Sequence, residues 1–307
     1  MPSYAQRRPS GPAPASTSPG QASAGGRSNA DQQTRLAEKV GGPLAANPAP
    51  WAAQGRAVQF QPVAGGELFR GGAGAGDVVQ GQNGQRYLGD CWLLSSLAAI
   101  AQTQPQVLEG AITDLGDGTY RVRLHRQERS GEMKAEDVRV EGSLPKTADG
   151  RDAYAQRTDP KELWVGIIEK AFAAWKGGYG ALDGGVPSDA LTALTGRPTQ
   201  TAFSQGTTPE ALGASMSAAS AAKQPMVAAS RGDLSLAQGG IVPGHGHTVM
   251  RVHEEGGQTM VTLRDPFARY EPGGQGAKDG VFTIPIAEYQ KRFQYTTWTQ
   301  PAAPAAP

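Results

Sequence analysis

A single cysteine, Cys91, stands in a chain of 307 residues, so no intrachain disulfide can staple the fold and stability has to come from packing. Aromatic residues are scarce at 7% and hydrophobic residues reach only 38%, low for this length, so part of the chain is expected to stay outside any core. Neither sign of charge is in excess. With a formal net charge of +1 and no Lys/Arg-rich run, the sequence has no electrostatic footprint for nucleic acid or an anionic membrane surface. No apolar run is long enough to span a bilayer, so no integral membrane segment is expected.

The shortage of core-forming residues is concentrated at the ends. Residues 1–56 are rich in Pro, Ala, Ser, Gly and Gln, and no acidic residue precedes Asp31, which predicts a disordered tail. The tail lacks the continuous apolar stretch of a Sec signal peptide. Two readings stand for it: a passive solvated tail, or a bacterial non-Sec secretion signal recognised while unfolded, with secretion machinery as its partner. Localisation is accordingly cytoplasmic or exported by a non-Sec route. Residues 301–307, Pro-Ala-Ala-Pro-Ala-Ala-Pro, read as a second disordered tail.

What the chain does have begins at Gln85-Arg-Tyr-Leu-Gly-Asp-Cys-Trp-Leu-Leu-Ser-Ser-Leu-Ala-Ala-Ile100. Gly89 allows a tight turn, Asp90 suits an N-cap, and Cys91 then opens an apolar helix running to about Ala101. The unpaired N–H groups and dipole of a helix N-terminus favour thiolate over thiol, and the thiolate is the nucleophile. Gln85 lies six residues upstream, where its amide could donate to an oxyanion; Gln80 is a rival that would need a five-residue excursion. By itself a lone cysteine is more often a small buried hydrophobe than a nucleophile. The pattern Gln-x-x-x-Gly-x-Cys-Trp, however, resembles the active-site segment of papain-like cysteine peptidases. Within that group, Leu88 to Ala98 resembles the calpain family, with the chain similar to a bacterial-type calpain protease core. Calpains place Gly after the oxyanion glutamine, as in Gln80-Gly81, whereas Arg86 follows Gln85.

Downstream, Gly118–His125 and Lys134–Glu141 alternate as half-buried strands about a turn at Arg129-Ser-Gly131. His125 on that charged strand reads as a solvated surface histidine. Asp159 is expected to cap a helix to Trp175, with Pro160 in its first position and Leu163, Trp164, Ile167, Ile168, Ala171, Phe172 and Trp175 on one core stripe. Gly177-Gly178 stops it, and a short helix Ser188–Thr195 ends at Gly196. The run Glu-aromatic-Trp, Glu-Lys-Ala-aromatic, Tyr-x-Ala-Leu-x-Gly-Gly and Leu-Thr-Gly is a second block resembling calpains. After a helix starting at Thr208-Pro209, strand signals dominate: Pro225–Ala229, His247–His253, Gln258–Arg264, Val281–Ile284 and Tyr295–Trp298, with a short helix Ile286–Phe293. The expected fold is α+β and papain-like, a mainly helical subdomain (57–200) carrying the cysteine and an antiparallel β subdomain (201–300) carrying the base.

Three of the four histidines fall between His245 and His253. Spacing of i, i+2 on a strand can chelate zinc, but no partner motif of a zinc peptidase is present, so no metal site is assigned. Gly244-His-Gly-His-Thr-Val249 resembles the calpain segment Gly-His-Ala-Tyr-Ser-Val, which implies His245 as the base. His247, on the same strand face, is a rival, and His253 reads as structural. Arg264-Asp-Pro-Phe-Ala268 stands where calpains have Asn-Pro-Trp-Gly, which puts Asp265 in the third position and Phe267 as a smaller apolar screen. An aspartate there stabilises imidazolium. The resemblance therefore implies a cysteine endopeptidase acting on protein or peptide substrates, with Cys91, His245, Asp265 and Gln85 catalytic and Gly244, Trp92 and Gly185 binding substrate. Two other classes are carried beside it: a catalytically silent interaction module, and a Cys-dependent acyl transferase. No cofactor is required; the sequence holds no EF-hand loop, and the expectation is calcium-independent activity, although core calcium sites built from scattered carboxylates escape motifs.

Overall fold

The computed structural model describes residues 42–51, 57–81, 88–235, 240–274 and 277–301. In chain order, β1 (Val58–Gln61) and β2 (Val78–Val79) lead to α1 (Cys91–Thr103), which is followed by α2 (Pro105–Ala111). Trp92 to Ala101 of α1 are all buried, as expected of a helix that is apolar on every side. Three strands form an antiparallel sheet, β3 (Ile112–Asp114), β4 (Thr119–Gln127) and β5 (Met133–Glu141), the last two joined by the expected turn, where Gly131 has φ +89°. Next come β6 (Leu144–Thr147), paired with β1, and β7 (Gln156–Arg157), paired with β2. Then α3 (Trp164–Lys176) packs on β4 and β5, with Phe172 edge-on to Trp92 of α1, and ends at Gly177 with φ +98°, and α4 (Pro187–Thr195) ends at Gly196.

The second half is one antiparallel sheet. It comprises β8 (Thr199–Phe203), then after α5 (Pro209–Ala221) β9 (Met226–Ser230), β10 (Gly246–Glu255), β11 (Gln258–Arg264), β12 (Val281–Pro285) and, after α6 (Ile286–Arg292), β13 (Phe293–Thr299). The strand order is β12-β11-β10-β9-β13-β8. Thr208 caps α5, its hydroxyl accepting the Ala211 N–H. Leu212, Met216, Phe282, Tyr289, Phe293 and Trp298 form a core between the sheet and α5 and α6. The opposite face meets the helical half: Val227 and Met250 join the first core, and the Thr248 hydroxyl donates to Ser95 O on α1 at 2.9 Å. The two cores thus press α1 against the start of β10.

Four expectations need correction. Residues 42–51 are docked and are not part of a disordered tail: Ala45 N–H bonds to Arg139 O, Tyr179 N–H to Ala49 O and Trp51 N–H to the Tyr154 hydroxyl. These are main-chain bonds to neighbours distant in sequence, which composition does not register. The rest of that tail, and 302–307, lie outside the described residues. The Asp159 helix starts only at Trp164, because the N–H groups of Leu163 and Trp164 are taken by the carbonyls of Glu67 and Leu68. The subdomain border at 200/201 falls inside β8, which pairs with β13 and so belongs to the sheet half. His125 is half-buried, its Nδ1 bonded to Ala193 O at 3.1 Å, because α4 packs over β4.

Candidate active site

The Cys91 turn is built by close approach. A Cβ on Gly89 would lie 2.7 Å from the Asp183 carboxylate, which accepts the Gly89 N–H, so the position needs glycine. Asp90 occupies the N-cap and its carbonyl accepts from Leu93 and Leu94, but its carboxylate makes no capping bond. Instead it accepts from Gln80 Nε2 at 3.2 Å. Cys91 is the first residue of α1, half-buried, with the thiol at the helix mouth.

From the sheet half, His245 directly precedes β10 and is 4% exposed. Its main chain is clamped to β9: His245 N–H donates to Ser230 Oγ at 2.9 Å, and Ser230 N–H donates to His245 O. The imidazole Nε2 bonds Asp265 Oδ1 at 3.1 Å, and the Cys91 side chain lies near enough to the ring to favour its cation. The sulfur additionally accepts the Gly246 N–H at 3.4 Å. Asp265, fully buried at the end of β11, is held by the N–H groups of Phe267 and Tyr270. The Phe267 ring lies parallel to that of His245, centroids 4.8 Å apart, and screens it from water.

Electrostatics separates the two rival histidines. Burial works against charge on His245, but the hydrogen bond to Asp265 and the interactions with Cys91 and with the Asp265 charge outweigh it and raise the imidazole to about 9. Burial likewise opposes ionisation of Asp265, yet the bond to His245 and the nearby imidazoles bring it below its ordinary value. His247 is fully buried two residues on. Its Nδ1 bonds to His245 O at 3.2 Å, while its Nε2 finds no partner between the edges of Phe282 and Phe293. Desolvation, then the charge of His245, lower it to about 4, so it is neutral. His253, near the far end of β10, sits by Glu255 and Arg251.

Gln85 lies outside the described residues. Gln80 is buried; its Nε2 donates to Leu88 O at 2.8 Å as well as to Asp90, and its main-chain N–H donates to Pro266 O at 2.8 Å. It ties the turn before Cys91 to the loop after Asp265. Trp92, expected at the substrate, is only 3% exposed, with its indole N–H on Leu182 O. A ring so enclosed offers no face to a peptide; it underlies the exposed Gly185, where a Cβ would come within 2.4 Å of it. Gly244 is exposed beside His245, at φ +59°. Sequence reading missed Gly246: a Cβ there would sit 2.7 Å from Ser95 Oγ and 3.1 Å from Cys91 O, so its glycine brings β10 against Cys91. The signal was present in Gly-His-Gly, where the resembling calpain segment has Ala.

Among the described residues no three His, Cys, Asp or Glu side chains are grouped to hold a metal ion, and no helix is long and apolar enough to cross a membrane. The family model for calpain family cysteine protease matches residues 54–292. The chain is 34% identical over 211 residues to the calpain-type cysteine protease DEK1 of Zea mays and 35% identical over 211 residues to ADL1 of Oryza sativa subsp. japonica, in each case covering 66% of this chain and 9% of the relative. It is 32% identical over 130 residues to Calpain-9 of Rattus norvegicus, covering 42% of this chain and 18% of the relative. The matches therefore span under a fifth of these relatives' own lengths. A thiol at a helix mouth, an imidazole brought to it by the opposing sheet, and a match extending through both halves agree: the chain belongs to the calpain family of cysteine proteases.

Proposed function

We propose that the chain is a cysteine endopeptidase that cleaves protein substrates through Cys91, His245 and Asp265. The observation that carries this reading is the position of His245, bonded to Asp265 through Nε2 and followed by Gly246, whose N–H donates to the Cys91 sulfur. An imidazole raised to about 9 is protonated at neutral pH, which supports a thiolate–imidazolium pair before substrate arrives. The thiolate attacks the peptide carbonyl, and the Cys91 N–H at the helix mouth, with Gln85 as a side-chain donor, stabilises the oxyanion. His245 then protonates the leaving amine and, neutral, takes a proton from the water that hydrolyses the thioester. Asp265 keeps the ring in one orientation throughout. The carbonyl of Gly244 and the main chain of Gly185 are the substrate contacts, with Trp92 holding Gly185 from beneath. Each proton transfer is assigned to a side chain, and the reading includes activity independent of calcium.

A thiol-reactive peptide probe should label the wild type and not Cys91→Ala. Failure to label wild-type protein under any condition favours a silent interaction module, and mass addition to a substrate without cleavage favours an acyl transferase. Proteomic cleavage profiling against Cys91→Ala would then define the substrates. Abolition of cleavage by a chelator, with recovery on adding calcium, would overturn the calcium-independent part.

A further inference from the structure

Behind Cys91 lies a buried acid pair that the proposed mechanism does not use. Asp90, which directly precedes Cys91, and Glu169, in the middle of α3, are each only 1% exposed, and their carboxyl groups lie close enough to shift each other's ionisation. Asp90 Oδ2 accepts from no N–H or hydroxyl, and Oδ1 takes the Gln80 amide. Glu169 Oε1 accepts the Ala155 N–H at 3.0 Å. The titratable groups that reach the pair are Tyr154, Tyr179, Asp152, Asp183 and His245, and of these only His245 is cationic.

Two carboxylates in contact, out of water and without a cation between them, cannot both be ionised, so one keeps a proton. The surroundings decide which. Asp90 already accepts an amide N–H and feels the charge of His245, both of which favour its anion; Glu169 faces Asp90 and the further negative charge of Asp152, which favour its neutral form. Burial places Asp90 at about 6 and pushes Glu169 well above the ordinary carboxyl range, the same order. The pair is also connected onward. From Asp90 the chain of bonds runs through Gln80 to Leu88 O and to Pro266 O, the residue after Asp265.

We propose that Glu169 is a positioning residue of the active site: it stays protonated, donates its hydrogen to Asp90, and through Asp90 and Gln80 fixes the turn that presents Cys91 to His245. This deepens the peptidase reading and rests on it only for the turnover measurement below. A merely structural acid would be replaceable by any side chain that keeps the fold. A protonated donor makes a narrower demand, met by an amide and not by a hydrocarbon of similar size.

The test compares the full-length wild type with Glu169→Gln and Glu169→Leu. Two rates are read: alkylation of Cys91 by iodoacetamide at neutral pH, which reports thiolate presentation without any peptide, and kcat and KM on a cleaved peptide. Glu169→Gln should stay within about threefold of wild type in both, while Glu169→Leu should lose at least about tenfold in alkylation and in kcat with KM nearly unchanged, as expected when a reacting group is displaced by a fraction of an ångström. Cooperative thermal melting verifies that each variant is folded. The proposal is overturned if Glu169→Gln is as slow as Glu169→Leu, which would make Glu169 a needed anion, or if folded Glu169→Leu alkylates like wild type. Should Glu169→Leu not fold, the Glu169→Gln rate decides alone, a tenfold loss overturning the proposal. Wild-type protein that alkylates with the expected variant pattern yet cleaves no peptide would overturn the peptidase reading and leave Glu169's role standing.

Discussion

The helical and sheet halves each hold a buried aspartate next to a candidate site residue, Asp90 before Cys91 in the chain and Asp265 on the His245 ring, and the two are held in opposite ways. Asp265, on the sheet side, lies against an imidazole and two main-chain N–H groups, and its carboxyl falls below the ordinary range. Asp90, on the helix side, lies against another carboxyl and rises to about 6. Both are almost wholly out of water, so desolvation alone does not distinguish them. What differs is the partner: a base that gains from the negative charge, or an acid that must keep its proton beside it. The same contrast separates His245 at about 9 from His247 at about 4, two residues apart and both buried.

The sharpest way to break the contrast is to remove the reacting groups. Cys91→Ala and His245→Ala should each lower kcat/KM on the order of 10⁵-fold or more, and the double variant should be little worse than either, because nucleophile and base act as a unit. Single-turnover assays at high enzyme concentration would measure it. Next in size is Asp265. Replacing it with Ala leaves the His245 ring without its fixed partner and should cost roughly 10²- to 10⁴-fold. Asp265→Asn keeps an acceptor but removes the charge, so it should be milder and should bring the alkaline limb of kcat/KM down from about 9; an unmoved limb would separate that titration from this pair.

A smaller effect tests how closely the halves meet. Gly246→Ala drives a Cβ toward Ser95 Oγ and Cys91 O, and should cost about 1–3 kcal/mol of stability with a comparable loss in rate. Ser95→Ala combined with Gly246→Ala should restore part of both, and a cycle of chemical denaturation curves would show this as non-additivity. Additive losses would mean that Ser95 is not the obstacle.

The smallest effect at neutral pH, and one confined to acid, belongs to His247. Its folded value of about 4 lies below the free value of 6.5, so between these the unfolded chain binds a proton that the fold refuses, and stability falls as pH drops through that window. The loss is on the order of 3 kcal/mol by pH 4. Urea midpoints for His247→Phe should fall less steeply between pH 6.5 and 4. The His245–Asp265 pair has other limits. With His245 raised, its contribution is full below 6.5 and is lost as pH rises through about 9, and with Asp265 lowered, its contribution is lost only as pH falls below the ordinary carboxylate value of 3.8.

Much of this was legible beforehand because the features are local. The alternation of β4 and β5, the stripe on α3, the Thr208 cap and the glycine stops at Gly177 and Gly196 each depend on residues a turn or a strand apart. The Cys91 helix and the His245 strand were equally readable. The Asp159 helix start failed because bonds from Glu67 and Leu68 overrode a good local cap. Trp92 failed in the same way: its neighbour is Cys91, but its ring is claimed by the core, where it meets Phe172 edge-on. Asp90 filled the predicted cap position and yet turned its carboxyl inward.

By itself the sequence determined that a thiol would stand at the start of an apolar helix, since period and turn residues are properties of short segments, while the resemblance to calpains implied that an imidazole and a carboxylate would come from a later pair of strands. Only the tertiary structure decided which histidine meets the sulfur, how closely Gly246 lets it approach, and which buried acids are charged. Those outcomes depend on what each group finds across the gap between two cores, and the free energy of a buried charge is set by its neighbours in space.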